Sequence, residues 1–402
     1  MQYDRKGLVF LPIRPNDDFA RRLANNFRIE DPDELVKNIS YRNGEYCPTI
    51  TDILPSSNGK RLSGRRACIV YSYTKSELTT TESFARILFL SDAAYRAGAK
   101  EVYLILAENL FDRQDLDPAL KYDEDYGNFS LGRKRKIEKM QGQPFTLRAS
   151  VKQFHTAGIK KVLTLDAHSE VSSRTYEKIY QCSPEHVLFN LNPIPIFLNY
   201  LLSLKLNIGK DGENLVLVAP DKGAWNAVNK FYELLELNSA GIVFCNKYRT
   251  APNDPKKVEA AIENTKNFNG IEGKILLALD DKGDTMGTLE KILVEGLTGK
   301  PKQIHAMISH MIFSTREAYE LIEENNINIH GSNSHPNMAF KKDEPGVDNI
   351  SVIDFTPYFA WALANHVIPG EPLPEVTKNN LAMYKDLFRV IKNGKIADFN
   401  NE

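Results

Sequence analysis

Short apolar runs alternate along this chain with longer amphipathic stretches, and that alternation narrows the fold more than any single residue does. The run 67–72 (ACIVYS) precedes 82–97, where Phe84, Ile87, Leu88, Leu90 and Ala94 fall at helical spacing and Gly98 follows as a stop. The runs 101–107 (EVYLILA) and 161–165 (KVLTL) follow, separated by a helical stretch ending at 157 before Gly158. A strand, a crossover helix and another strand make a parallel sheet with helices on its faces. The rhythm then recurs, with strands at 214–219, 241–245, 274–279 and 303–309 and helices at 225–237 and 286–296. Two α/β units of similar layout are expected, split near 170–185. Strand ends fall just before Asp166, Asp221 and Asp280, and ligands of open α/β sheets bind beyond the carboxyl ends of strands.

Composition excludes several alternatives. A chain of 402 residues predicts two to three domains and can bury large cores without disulfide staples. With 51 Lys plus Arg against 52 Asp plus Glu, a net charge of −1 offers no long-range field for a nucleic acid or an acidic membrane. Cys47, Cys68, Cys182 and Cys245 are far apart and form no CxxC pair, so reduced thiols and a cytoplasmic location are expected. The first residues carry Asp4, Arg5 and Lys6 ahead of only a short apolar run, which does not read as a signal peptide. The uncharged stretch 187–204 contains Asn190, Asn192, Pro193, Pro195 and Asn199, which predicts a loop and a buried helix from about Pro195 rather than a membrane span.

Three segments break the rhythm. Residues 116–144 are mostly polar and include the basic run 132–139 (GRKRKIEK), which reads as a solvated loop or helix face or as a polyphosphate contact. Residues 328–348 are rich in Asn, Gly, Pro and Ser, and the tail from 373 has one amphipathic pattern at 379–392, expected to be a helix.

The sharpest signal is 276–289 (LLALDDKGDTMGTL). An apolar strand runs into two adjacent carboxylates and then a turn that opens a helix. Asp280 and Asp281 can accept hydrogen bonds from a vicinal diol, and the turn offers backbone N–H groups and the hydroxyls of Thr285 and Thr288 to an anion. No Gly-Lys-Ser/Thr follows at the spacing of a nucleotide-binding P-loop. The plain alternative is a strand-turn-helix junction capped by Asp and Thr.

In this loop, written Asp280-Asp281-Lys282-Gly283-Asp284-Thr285-Met286-Gly287-Thr288, the chain resembles the ribose-phosphate pyrophosphokinases, the phosphoribosyl pyrophosphate synthetases. Further segments resemble that family in the same order: Tyr41-Arg-Asn43-Gly-Glu45, Phe111-Asp-Arg113-Gln114-Asp115, Thr164-Leu-Asp-Ala-His168, Ala219-Pro-Asp221-Lys-Gly223, Lys247-Tyr-Arg249, and Ser309-His310 with Phe313-Ser314. The resemblance covers about residues 5–365. It implies two tandem phosphoribosyltransferase-type, Rossmann-like domains, each a parallel sheet flanked by helices, at 1–175 and 176–350, with 351–402 as C-terminal helices packing back plus a tail. It also implies a homo-oligomer and small-molecule substrates, with no nucleic acid or membrane partner. The implied reaction moves the β,γ-diphosphate of MgATP to the anomeric hydroxyl of ribose 5-phosphate and leaves AMP. Lys247 and Arg249 would clamp the transferring diphosphate. Tyr41, Asn43, Glu45, Arg113, Gln114, Asp115 and His168 would hold ATP, and His168 and Asp221 would contact Mg²⁺. Asp280, Asp281, Asp284, Thr285, Met286, Gly287 and Thr288 would hold the acceptor ribose and its phosphate.

The chain departs from the family at the acceptor. Met286 stands where the family usually has glycine, Lys282-Gly283 replace two residues that are commonly apolar, and Ala224 replaces a glycine. Segments 46–65 and 116–144 are longer than in the family. A methionine that crowds a free phosphate would suit a larger acceptor, such as ADP-ribose. Two other readings are a catalytically inactive regulatory homologue and a phosphoribosyltransferase.

Overall fold

The computed structural model describes residues 7–29, 31–51, 61–73, 78–114, 116–220, 223–249, 258–290, 297, 299–335, 344–392 and 395–397; for 246–249, 258–265, 288, 290, 392 and 395–397 it describes the backbone alone. The chain forms two compact units. The first comprises Met1–Leu191 with Phe359–Leu373, and the second Asn192–Tyr358 with Pro374–Glu402.

The first unit runs β1 (Leu8–Pro12), α1 (Asp18–Asn26), β2 (Val36–Ser40), β3 (Tyr46–Ile50), β4 (Arg66–Tyr71), α2 (Thr80–Arg96), β5 (Glu101–Leu106), α3 (Leu131–Lys139), α4 (Thr146–Thr156), β6 (Ile159–Leu165), α5 (Glu170–Tyr180) and β7 (Leu188–Leu191). Its main sheet has the order β1-β4-β5-β6-β7 and is parallel throughout. Strands buried on both faces need no polar alternation, which is why 67–72 and 101–107 read as continuous apolar runs. The strands step in one direction, so the right-handed crossovers through α2, α4 and α5 fall on one face. Ile87, Leu90, Val151, Phe154 and Tyr176 pack there against Val9, Ile69, Leu104 and Val162. Residue chemistry also sets the helix starts. The Asp17 side chain accepts from the N–H of Ala20, and Thr79 with Glu82 forms a reciprocal capping box. The division between the units lies after Leu191, because β7 completes the first sheet.

The segment 116–144 folds as two 3₁₀ turns, Pro118–Tyr122 and Glu124–Asn128, followed by α3, which carries the basic run with Ile137 as its buried residue. β2 and β3 form a separate antiparallel ribbon.

The second unit runs α6 (Ile194–Ser203), β8 (Leu215–Ala219), α7 (Trp225–Leu235), β9 (Gly241–Arg249), β10 (Val258–Lys266), β11 (Ile275–Gly283), α8 (Gly287–Glu290), β12 (Gln303–Met311), α9 (Arg316–Glu324), β13 (Ile327–Ser332), β14 (Ile350–Asp354), β15 (Arg389–Lys392) and β16 (Lys395–Ala397). The sheet order is β10-β9-β8-β11-β12-β13-β14-β15-β16. Its centre is parallel, while β10 at one edge and β15 and β16 at the other are antiparallel additions. The helix expected over 379–392 is not formed. Lys378–Tyr384 is a 3₁₀ turn, and β15 then pairs with β14, burying Val390 and Ile391. Sheet pairing overrides the local helical spacing there. No helix among the described residues is long and apolar enough to cross a membrane.

Candidate active site at the strand ends

In the second unit the chain passes from β8 to β9 on one side and then returns to place β11 on the other side of β8. That reversal makes the carboxyl ends of β8 and β11 a topological switch point, where an α/β sheet opens a crevice for ligands. β11 ends there in the acidic loop. Asp280, Asp281, Asp284 and Gly287 are half-buried and Thr285 is exposed. β11 continues through both carboxylates to Gly283, so Asp280 and Asp281 occupy alternate positions of a paired strand, and Asp280 accepts from the N–H of Asp281 at 3.0 Å. The loop is anchored to the next strand end, because the Gly283 carbonyl accepts from the N–H groups of Ile312 at 2.8 Å and Phe313 at 3.0 Å. A Cβ on Gly283 would come within 2.9 Å of Ile308 Cδ1 and 3.0 Å of the Phe313 ring, so a side chain there would have to displace both.

Met286 is the most informative residue of the loop. Its φ is +60°, a left-handed conformation that favours glycine, yet its side chain is 4% exposed and belongs to the core cluster with Leu289, Ile308 and Phe313. The side chain is turned into the core and away from the loop's open face. Among the described residues, a Cβ on Gly287 would meet nothing closer than Thr285 Oγ1 at 3.9 Å, which leaves room for an anion beside the backbone.

A buried polar network backs this loop. The His310 Nδ1 shares a hydrogen bond with Ser334 Oγ at 2.9 Å, and the Ser332 hydroxyl donates to Ser334 Oγ at 2.9 Å. Asn333 donates to Asp354 at 2.9 Å, and Asp354 also accepts from the N–H of Thr356. The backbone of Lys247 and Arg249 lies in β9. That strand pairs with β8 only as far as Phe244 opposite Ala219, so both residues fall on the length that runs past the end of β8, bonded instead to β10. Thr288 opens α8. Asp221 lies outside the described residues.

The first unit brings its own residues to the carboxyl ends of β5 and β6. His168 is exposed, and its N–H donates to the buried carboxylate of Asp112 at 3.0 Å. The Ala167 N–H donates to Asn190 at 2.9 Å, so the loop after β6 is held from both neighbouring strands. Asp166 and Phe111 carry φ values of +43° and +60°. Arg113 is exposed, and Gln114 Oε1 accepts from the Thr146 N–H at 2.6 Å, tying this element to the first turn of α4. Asp115 lies outside the described residues. At the ends of β1 and β4, Arg14, Asp17 and Ser72 form a buried cluster: Arg14 pairs with Asp17 at 3.1 Å, and Ser72 donates to Asp17 at 2.8 Å. Burial pushes the Asp17 carboxyl up despite the opposing Arg14 charge.

Tyr41, Asn43 and Glu45 sit apart from these strand ends, in the turn of the β2–β3 ribbon. Asn43 Oδ1 accepts from the Glu45 N–H at 3.2 Å, and Gly44 takes φ +88°. Sequence reading overlooked Arg14, Asp17, Ser72, Asp112, Ser334 and Asp354. Arg14, Ser72, Ser334 and Asp354 lie at or within two residues of a strand end, so the rule that marked Asp166 and Asp280 would have found them, whereas Asp17 and Asp112 lie five and six residues beyond β1 and β5.

Comparison with known proteins sets these features in context. No family model matches the chain. It is 25% identical over 251 residues to the ribose-phosphate pyrophosphokinase of Gloeobacter violaceus, covering 62% of each protein. It is 25% identical over 327 residues to that of Corynebacterium ammoniagenes, covering 81% of this chain and 84% of the relative. The crystal structure of phosphoribosylpyrophosphate synthetase from Mycobacterium smegmatis superposes with a TM-score of 0.64 at 16% identity, covering 89% of this chain and 98% of the other. That likeness establishes the two-unit α/β fold. Over 62–81% of its length the chain is similar in sequence to ribose-phosphate pyrophosphokinases, and it shares the fold of a phosphoribosylpyrophosphate synthetase.

Proposed function

We propose that this protein is a diphosphotransferase that moves the β,γ-diphosphate of MgATP to the anomeric hydroxyl of ribose 5-phosphate. The 1-hydroxyl oxygen attacks the β-phosphorus, the bond from that phosphorus to the α-phosphate bridging oxygen breaks, and AMP leaves. The observation that carries this reading is the acidic loop at the switch point of the second sheet, with its open backbone at Gly287. Carboxylates at Asp280 and Asp281 suit ribose hydroxyls, and the loop backbone suits the 5-phosphate. Phosphoryl transfer needs positioning and charge neutralisation more than covalent chemistry. Lys247 and Arg249 are assigned to that neutralisation, as a point charge and a planar fork.

Arg113 and Gln114 are assigned to ATP, together with the ribbon residues Tyr41, Asn43 and Glu45. The residues fit a Mg²⁺ carried on the triphosphate, because such an ion keeps most of its waters and phosphate oxygens and needs few protein donors. His168, exposed and with its loop fixed by Asp112 and Asn190, is one such donor, and Asp221 is the second assigned position. When bound, the ion offsets charge on the phosphate oxygens.

Ribose 5-phosphate is favoured over ADP-ribose because the Met286 side chain is in the core and leaves the phosphate space uncrowded. The test is AMP release from MgATP with ribose 5-phosphate, with ADP-ribose and with no acceptor, followed by chromatography. AMP that depends on ribose 5-phosphate supports the reading. No acceptor-dependent AMP overturns it, and consumption of phosphoribosyl pyrophosphate with release of pyrophosphate in the presence of a base would favour a phosphoribosyltransferase.

A further inference from the structure

The turn after β5 sets a buried carboxylate beside an exposed cation. Asp112 is 1% exposed, whereas Arg113, assigned to ATP, is open to solvent. A buried carboxylate is costly unless it accepts hydrogen bonds. Asp112 accepts from the backbone N–H of His168 at 3.0 Å, across 56 residues of chain.

The loop after β6 depends on such outside contacts. Asp166 takes φ +43°, a left-handed conformation that a residue with a Cβ keeps only where its surroundings enforce it. Three successive N–H groups of this loop find acceptors on neighbouring segments. Asp166 donates to the Leu191 carbonyl at 3.0 Å and Ala167 to Asn190 Oδ1 at 2.9 Å, both at the end of β7. His168 donates to Asp112 from the other flank, the β5 side. Asn109 adds a second tie on that flank, donating to Ser172 Oγ of α5 at 3.3 Å.

The turn that carries Asp112 is itself held by two helices. The Phe111 ring stands edge-on to Phe84 of α2 at 5.7 Å. The Gln114 N–H donates to the Phe111 carbonyl at 3.2 Å, and Gln114 Oε1 accepts from the N–H of Thr146 in α4 at 2.6 Å. On this frame two consecutive residues part, Asp112 to the interior and Arg113 to solvent.

We propose that Asp112 is a positioning residue that fixes His168, the assigned metal contact, to the same turn that presents Arg113. The cation and the phosphates of ATP then meet two contacts whose spacing is set before either binds. This inference rests on the diphosphotransferase reading. Asp112 acts through the His168 backbone and has no part in holding the cation directly.

Hydrogen exchange and calorimetry on the whole chain test this. In the wild type the His168 amide should exchange at least about tenfold more slowly than an unbonded amide. Titration with ATP, with and without Mn²⁺, then isolates the metal-dependent part of the affinity. Asp112→Ala should speed that exchange and weaken MnATP binding by about 10–100-fold, while metal-free ATP binds as before. Asp112→Asn keeps an oxygen acceptor and should restore both. In a His168→Gln background, Asp112→Ala should weaken MnATP no further. Wild-type MnATP affinity in Asp112→Ala, or equal losses for ATP and MnATP, would overturn the proposal. Exchange of the wild-type His168 amide at the unbonded rate would also overturn it, and that measurement needs no variant to fold. A wild type that binds no ATP at all would sink the diphosphotransferase reading and this inference with it.

Discussion

Acidification should destabilise the second unit through two histidines that its sheet holds neutral. His305 of β12 and His330 of β13 are each 4% exposed, with rings stacked 5.2 Å apart and 14° from parallel. His305 Nδ1 meets His330 Nε2 at 2.9 Å, and His330 Nδ1 meets the Tyr200 hydroxyl at 3.2 Å. One proton lies between the two rings, and charging either ring would put an imidazolium against a neighbour in an apolar interior. Burial lowers His305 to about 4. Burial and then the adjacent His305 ring lower His330 to about 3.

In the unfolded chain each ring titrates near pH 6.5. The folded values lie below the unfolded ones, so the linked stability is complete above about pH 6.5 and is lost as the pH falls. Between pH 7 and pH 5 each unfolded ring takes up about three-quarters of a proton and each folded ring takes up almost none. That costs about 2 kcal/mol per ring, or roughly 4 for the pair, against a total stability on the order of 5–15 kcal/mol. Urea unfolding at pH 7, 6 and 5 measures the loss. The double variant H305L/H330L removes both titrating groups, and its stability should fall less steeply with pH by nearly two protons. Equal slopes for the wild type and the variant would refute the reasoning, whatever the absolute stabilities.

Four further outcomes follow from particular contacts. Met286→Gly relieves a left-handed residue but empties a buried site, so urea unfolding should show a net loss of about 1–3 kcal/mol. Its KM for ribose 5-phosphate should stay near the wild-type value, whereas a drop of tenfold would mean that the methionine does crowd the phosphate. Asp17→Ala removes the carboxylate 3.1 Å from the buried Arg14 guanidinium and should cost about 3–5 kcal/mol in thermal melting. Gly331→Ala would place a Cβ 2.4 Å from Met311 and 2.7 Å from the Ile308 carbonyl, and it should lower the urea midpoint by an amount worth about 1–3 kcal/mol. Lys247→Ala and Arg249→Ala should each reduce AMP release by about 10²–10³-fold with melting unchanged.

What could be read from the residues alone depended on how local the cause was. β5 and β8 are short, buried on both faces and written as unbroken apolar runs, so they were visible, and so was the acidic loop that ends β11. β15 was not. Its four residues lie inside a helical pattern, and what makes them a strand is Ile353 opposite Val390, a partner well upstream. The reach of β9 through Lys247 and Arg249 was hidden for the same reason, because β10 creates it. Met286 shows a different limit. A methionine where relatives carry glycine reads as an obstruction, yet backbone conformation decides which way a side chain leaves the chain, and φ +60° here accompanies a side chain that packs in the core. The cavity between α4 and α5, lined by Arg133, Arg148, Lys152, Arg174 and Lys178, shows the limit most plainly. Its cations come from α3, α4 and α5, and none of the three segments is unusual alone: the basic run on α3 is a helix face with one buried residue, and the α4 and α5 pairs are ordinary surface spacings. Packing brings the three faces to the rim of one cavity, with all five cations still exposed. A strand-end site follows from a rule that each strand obeys by itself, so it can be found before the fold is known. A site assembled from insertion and helix flanks has no such rule, and the fold must come first.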